Sequence, residues 1–326
     1  MVRSSDGSLL LVGRYRNAGD SRNGADDDER GLKLAVLRAR DVDGPFEIIL
    51  SLEKVDLGVG NRSVLSIEGT ALQFTPQGTV ELYVSSEKTG IGYPESFEEF
   101  LKPGTGVWTI DRIQAGSIDG LRGAPIHTIL ESRDPQFIHV KDPFLYKRTS
   151  GELILFFCSH PYSWTSSNTG HAVLRDGELV PGSTVYDFFP RGFTWDVAMS
   201  RATCAWDIPQ LGRFRDRRVT LQFYDGGESI RNLQEHSAAM KRPRGYSCEE
   251  LGGLAYVVDG DFRNGQRLSK YRPLFVSPWG TGCSRYVDIL TTDDGVFATW
   301  QQSQPDQSQP LVMNFVSTDE VNRLLE

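Results

Sequence analysis

Three stretches of this 326-residue sequence set a carboxylate beside glycine, proline or tryptophan: Ser66-Ile67-Glu68-Gly69-Thr70, His139-Val140-Lys141-Asp142-Pro143 and Thr194-Trp195-Asp196-Val197. Carboxyl groups gathered in a partly dry site can divide labour. One, its pKa raised by its surroundings, donates a proton, and another activates water or attacks. A third can hold the donor's pKa up through like-charge repulsion. That division of roles is what cleavage of a glycosidic bond requires. Arg, His and Gln can bind sugar hydroxyls, and Trp and Tyr offer flat apolar faces to sugar rings.

These residues matter only if the chain brings them together. Helix signals are scarce: a turn at Ser96–Leu101, a stretch near Glu228–Met240 and the tail Thr318–Leu325. Short apolar runs dominate instead, such as Leu9–Gly13, Val80–Val84, Leu153–Cys158, Val219–Phe223 and Leu311–Phe315, separated by Gly- and Pro-containing turns. This is the pattern of an all-β chain built from hairpins. One hairpin recurs. Ser4-Ser5-Asp6-Gly7 followed by Ser8–Val12 matches Thr75-Pro76-Gln77-Gly78, Arg148-Thr149-Ser150-Gly151 and Thr292-Asp293-Asp294-Gly295, each with its following apolar strand. A fourth unit has the same two strands, near 198–204 and 219–224, with a longer connection. Five units result, at about 1–52, 62–132, 137–190, 195–277 and 282–318. They predict a single five-bladed β-propeller domain of four-stranded antiparallel blades. A pair of β-sandwiches is the competing architecture.

In a propeller the first strand of each blade starts, and the second ends, on one face. Counting back from the turn glycines puts Glu68-Gly69, Lys141-Asp142-Pro143 and Arg285-Tyr286 at that end of first strands, with Thr194–Val197 as the corresponding start in the fourth unit. The second strands end at Arg14 and Arg16, Ser86-Glu87-Lys88, Ser159-His160, Tyr224-Asp225 and Gln301-Gln302. The substrate-binding candidates are therefore Arg14, Arg16, Glu87, His160, Trp164, Trp195, Arg201, Asp225 and Arg285. Blander readings stand beside these. Asp142 before Pro can cap a turn, Arg201 and Arg285 can pair with acids, His139 reads as core or channel, and Trp108 and Trp300 read as core.

At Ile67-Glu68-Gly69 and Lys141-Asp142-Pro143 the chain resembles the five-bladed propeller glycoside hydrolases, the arabinanase and β-xylosidase group (family 43) and the invertase-like group (family 32). The resemblance implies that Glu68 is the general acid and Asp142 the auxiliary carboxylate that orients it, which leaves Asp196 as candidate base. The order here is Glu, Asp, Asp, where those families run Asp, Asp, Glu. If Glu68 and Asp196 face each other two blades apart, their separation admits a water, and inversion is the expected outcome.

The expected function is thus hydrolysis of plant or algal oligo- or polysaccharide. A non-catalytic carbohydrate-binding propeller and a phosphorolytic enzyme, with Arg14, Arg16, Arg201 or Arg285 on phosphate, are the alternatives. Composition narrows the field. With 35 Lys and Arg against 43 Asp and Glu, a net charge of −8, and no basic run, nucleic acid is not an expected partner. No apolar stretch approaches the roughly 20 residues that cross a bilayer, so no membrane partner is expected either. No cofactor and no metal ligand set is expected, a structural channel cation being left open. Cys158, Cys204, Cys248 and Cys283 stand far apart and read as buried thiols of a cytoplasmic chain, an exported chain with its signal removed being the alternative.

Overall fold

Turn chemistry sets the hairpins. In the computed structural model, which describes residues 1–15, 31–41, 44–227, 250–280, 282–306 and 308–326, Gly7, Gly78 and Gly151 have φ of 85°, 82° and 86°. Side-chain-bearing residues rarely adopt that conformation, so glycine closes each hairpin. The apolar runs on either side pair as antiparallel strands. The first sheet is β1 (Val2–Arg3), β2 (Leu9–Tyr15), β3 (Lys33–Ala39) and β4 (Glu47–Glu53), in sequential order. The second is β5 (Val64–Phe74), β6 (Val80–Lys88), β7 (Val107–Ala115) and β8 (Ile126–Leu130). The third runs β9 (His139–Lys147), β10 (Leu153–His160), β11 (Asn168–Arg175) and β12 (Glu178–Leu179), with β13 (Val185–Phe189) also pairing to β11. The fourth is β14 (Met199–Asp207), β15 (Val219–Gly227), β16 (Leu251–Val258) and β17 (Gln266–Arg267). The fifth has three strands among the described residues, β18 (Ser284–Thr291), β19 (Gly295–Gln302) and β20 (Leu311–Ser317), before the helix α1 (Thr318–Leu325).

Five successive antiparallel meanders make the fold a five-bladed β-propeller, the class the hairpin repeat predicts. The tail helix spans the predicted residues, with Ser317 Oγ accepting from the Glu320 N–H as its N-cap. The predicted turn at Ser96–Leu101 is a 3₁₀ segment, Glu95–Phe100. The helix expected near Glu228–Met240 lies outside the described residues. No described helix is long and apolar enough to cross a membrane.

The strands group into two compact units. The first comprises Met1–Lys147, Glu152–Thr165 and His171–Tyr186. Its core forms where consecutive sheets pack face to face. Leu10, Leu34, Val36 and Leu52 of the first sheet meet Ile67, Val80, Leu82 and Val84 of the second. Tyr83, Ile110 and Leu130 meet Val140, Leu155 and Phe157 of the third. Each such fully buried side chain contributes about 1.5–3 kcal/mol. The second unit comprises Arg148–Gly151, Ser166–Gly170 and Asp187–Glu326. In it β14, β15 and β16 pack on β18, and ring pairs Phe223–Phe275 and Phe297–Phe315 fill the sheets' faces.

Within the second sheet a charged network replaces apolar packing. Lys88 Nζ, wholly buried, is ion-paired to Asp111 Oδ2 and donates to Ser86 Oγ at 2.9 Å and Thr109 Oγ1 at 2.7 Å. Asp111 also accepts from Thr128 Oγ1 at 2.7 Å, so one carboxylate ties β6, β7 and β8 together. Burial pulls the Lys88 ammonium below its usual range, against the opposing pull of Asp111. Removing one partner of a buried pair leaves an uncompensated charge, which costs about 3–5 kcal/mol. Lys88→Met is therefore expected to lower unfolding free energy by about that amount in urea titration, and Lys88→Met with Asp111→Leu to recover most of it. A loss below about 1 kcal/mol in the single variant would mean that the pair is not buried in solution.

Candidate active site

In the first unit three sheets converge on one carboxylate. Glu68 lies in β5 where the pairing with β6 shifts between Ile67 and Thr70. That bulge turns the Glu68 side chain away from the alternation of an ordinary strand. Arg14 of β2 donates to Glu68 Oε1 at 2.8 Å, and Lys141 Nζ of β9 is ion-paired to Oε2. The side chains of Glu68, Arg14 and Lys141 keep 16%, 15% and 11% of their surface exposed, so the cluster is partly dry but open to a ligand. Burial works to raise the Glu68 carboxyl, but the two cations beside it outweigh burial and hold it well below the usual range. A proton donor needs the opposite shift. The acid role that the resemblance implies for Glu68 is thus not supported by its surroundings, which favour an ionised group.

Asp142 is brought to the same place. Its Oδ2 is 3.9 Å from Lys141 Nζ, and its Oδ1 accepts from the Gly69 N–H at 3.2 Å. Asp142 is the residue at which β9 kinks, with φ 54°, and its own N–H donates to Ser85 Oγ, which in turn donates to the Gly69 carbonyl at 3.1 Å. A left-handed non-glycine residue inside a strand costs of order 1–3 kcal/mol and persists where the surroundings fix it. The surroundings here are Gly69, where an added Cβ would sit 2.5 Å from the Asp142 Cα. The glycine after Glu68 is what allows the two acidic strands to approach so closely.

Aromatic rings line this cluster. Lys141 Nζ lies 5.3 Å from the ring centre of Trp108 and 5.7 Å from that of Trp164, within cation–π range. Trp164, with φ 57°, stacks on His139 at 4.1 Å and leans on His160 at 4.8 Å. Trp108 N–H donates to His139 Nδ1 at 3.4 Å, so the proton sits on Nε2, which faces Tyr93 Oη at 2.8 Å. Burial, then the charge of Lys141, pulls the imidazole down to about pKa 3, and His139 is neutral. His160 is buried, its Nε2 lying 3.2 Å from Cys158 Sγ. Glu87 is buried too and accepts from the Gly106 N–H at 2.8 Å, so its carboxylate fixes the turn into β7. Arg16 lies outside the described residues.

The remaining candidates belong to the second unit. Asp196, three residues before β14, is wholly buried. Its Oδ2 accepts from Arg267 Nε at 2.6 Å and Tyr224 Oη at 3.3 Å, and Gly192 packs so tightly on the carboxylate that a Cβ there would meet Oδ1 at 1.8 Å. Trp195 stacks on Tyr224 at 5.6 Å and is buried. A carboxylate sealed in this way is placed as a structural ion pair, and the base role expected of Asp196 gains nothing from its geometry. Arg201 donates to Asp225 Oδ2 at 2.7 Å and lies 3.2 Å from Glu250 Oε1, whose other oxygen is ion-paired to Arg285. Burial raises the Asp225 carboxyl, with Arg201 opposing it. Arg201 and Arg285 both lie against the Tyr286 ring, at 4.1 and 5.3 Å. Tyr286 has φ 55°, the same kink in β18 that Asp142 makes in β9, and its N–H donates to Asp225. These two arginines pair with acids, as the blander reading has it. Among the described residues no group of three or more His, Cys, Asp or Glu could hold a metal ion.

Sequence reasoning missed Lys141 as the bridge between Glu68 and Asp142, although it precedes Asp142 directly. It also missed Arg267, and it placed Lys88 at a strand end without its buried pairing to Asp111. Nothing local marks these residues, because each acts across sheets or strands far apart in sequence.

No protein-family model and no curated protein matches this sequence. Solved structures do match over nearly the whole chain. The RS223 β-xylosidase is 11% identical, with a TM-score of 0.56, covering 98% of this chain and 92% of its own. An exo-1,5-α-L-arabinanase from a bovine ruminal metagenomic library is 9% identical, with a TM-score of 0.53 and coverage of 98% and 93%. The GH93 α-L-arabinofuranosidase of Fusarium graminearum, solved with arabinobiose, is 14% identical, with a TM-score of 0.54 and coverage of 98% and 92%. At these identities the likeness is one of fold: this chain is folded as those propellers are.

Proposed function

We propose that this protein is a glycoside hydrolase acting on neutral plant polysaccharide of the arabinan or xylan kind. One observation carries the reading. Glu68 and Asp142, from the first strands of neighbouring blades, share the Lys141 ammonium beside an exposed tryptophan. Paired carboxylates next to a sugar-stacking ring are the elements that glycosidic cleavage needs. The likeness in fold to arabinan- and xylan-named enzymes supports the substrate class. In this reading Glu68 works ionised, activating the attacking water or facing the positive charge that develops on the sugar ring. Asp142, the second carboxyl group of the pair, supplies the proton that the departing glycosidic oxygen needs while the attacking water gives one up, and Lys141 and Arg14 position Glu68. The inversion expected from Glu68 facing Asp196 is not carried over, because Asp196 is sealed against Arg267.

Replacing Glu68 by Gln keeps shape and removes the charge. On reducing-end assays with arabino- and xylo-oligosaccharides, Glu68→Gln is expected to lose about 10²–10⁴-fold in kcat/KM while still folded, with a lowered thermal midpoint because Arg14 and Lys141 lose their partner. Binding by the wild type with no product released would instead favour a non-catalytic carbohydrate-binding propeller.

The pH dependence follows from the depressed carboxyl. Glu68 stays ionised until the pH falls through its lowered value, so the acid limb of kcat/KM is expected well below the pH at which an ordinary glutamate protonates. Arg14→Met removes one of the two cations, and the limb is expected to move up in pH while the alkaline limb stays. An activity that declines instead as pH rises through neutrality, and that Arg14→Met does not move, would return Glu68 to the proton-donor role.

A further inference from the structure

Beyond the carboxylate pair and its tryptophan, the first unit carries further rings in a row. The chain leaves β10 in a tight turn, Pro161 to Trp164, closed by the Trp164 N–H donating to the Pro161 carbonyl at 3.0 Å. Two rings project from this turn. Trp164 is held on His139 at its near end, next to Lys141. Tyr162 continues the row: its ring lies 4.7 Å from Phe97 and 5.0 Å from Phe100, tilted by 53° and 54°. The row is anchored from below. Phe97 and Tyr162 pack on the buried Ile91, Tyr93, Val107 and Ile138, and Tyr93 Oη donates to the Tyr162 carbonyl at 3.3 Å. Yet both ends stay open, Trp164 at 38% and Phe100 at 49% exposure.

Strain points the same way. Tryptophan in the left-handed region is uncommon and costs free energy unless its neighbours fix it. Folding the loop this way leaves part of a large apolar ring exposed beside a charged site. A flat, exposed ring that is rigid from behind is, however, suited to stacking on the apolar face of a sugar. The rim decides which sugar. Glu95, Glu98 and Glu99 of the 3₁₀ segment are exposed around Phe97 and Phe100, so the far end of the row is acidic. A polyanionic chain would be repelled there, and a neutral one would not.

Resting on the glycosidase reading, we infer that Trp164, Tyr162 and Phe100 form a run of stacking platforms leading away from Glu68 and Asp142, and that the ligand is a neutral oligosaccharide chain several units long. Tyr93 and His139 are positioning residues in this arrangement. They hold the tryptophan ring and the tyrosine backbone at fixed places without touching the sugar themselves.

The test is calorimetric titration of the Glu68→Gln protein, which holds substrate uncleaved, with xylo- and arabino-oligosaccharides of two to five units. Affinity is expected to rise with each added unit up to four or so. Phe100→Ala in that background is expected to remove the increment of the longest oligomers by about 5- to 50-fold, and Trp164→Ala to weaken all lengths. Oligogalacturonates of the same lengths are expected to bind at least tenfold more weakly than the neutral series, a gap that narrows in Glu98→Gln/Glu99→Gln. Phe100 is exposed and its removal leaves the core intact, with thermal melting as the check. Affinity independent of length, a length dependence that survives Phe100→Ala, or tighter binding of the oligogalacturonates would overturn the inference. Length-dependent binding in a protein whose wild type hydrolyses none of these sugars would keep the platform run and remove the hydrolase reading, so the two can fail separately.

Discussion

The ion triad Arg14–Glu68–Lys141 is the interaction on which the rest of the first unit's site depends. Its members come from β2, β5 and β9, that is, from three successive sheets. A carboxylate partly removed from water is costly unless it is paired and hydrogen-bonded. Glu68 meets that condition only if all three sheets sit in register, so the charge cluster and the apolar packing beneath it specify each other. Lys141 has a second duty, since its ammonium also faces Asp142 and the rings of Trp108 and Trp164. The same side chain thereby sets the charge state of Glu68, gathers the second carboxylate and borders the aromatic row.

The second unit solves a similar problem differently. Arg201 and Arg285 are set against Asp225 and Glu250, two cations for two anions, and Asp196 is matched by Arg267. Buried pairs of this kind are weak stabilisers, because desolvation offsets most of the attraction, but they penalise misregister heavily. The kinks at Asp142 and Tyr286 show that β9 and β18 share one local geometry: a left-handed residue whose N–H is received by the second strand of the preceding sheet, Ser85 in one case and Asp225 in the other. In the first unit that geometry leaves a carboxylate and an ammonium in reach of a ligand. In the second it buries an arginine against a tyrosine ring.

The fold was legible in the sequence because short apolar runs and turn glycines are local signals. Gly7, Gly78 and Gly151 mark three hairpins without reference to anything distant, and the tail Thr318–Leu325 carries its own helix signal. Glu68 and Asp142 could be picked out because each sits at a fixed distance before such a glycine. What could not be read is what each carboxylate meets. The family resemblance implies a donor at Glu68, yet its charge state is held by Arg14 and Lys141, 54 and 73 positions away. Asp196 has the same sequence setting as a candidate base, beside a tryptophan, and it is sealed under Gly192. Glu87, next to Lys88, reads as funnel-lining and instead receives a backbone N–H from Gly106. Spacing finds the residues that can be charged; the partners that fix their charge come from other sheets.

The most direct test of this account is the titration of the Glu68 side chain itself, followed through its carboxyl ¹³C resonance, assigned by comparison with Glu68→Gln. A midpoint well below the ordinary glutamate value of 4.5 is expected, rising when Arg14 is replaced by methionine. A midpoint at or above 4.5 in the wild-type protein would show that the cations do not govern this carboxylate, and the site as described here would not stand.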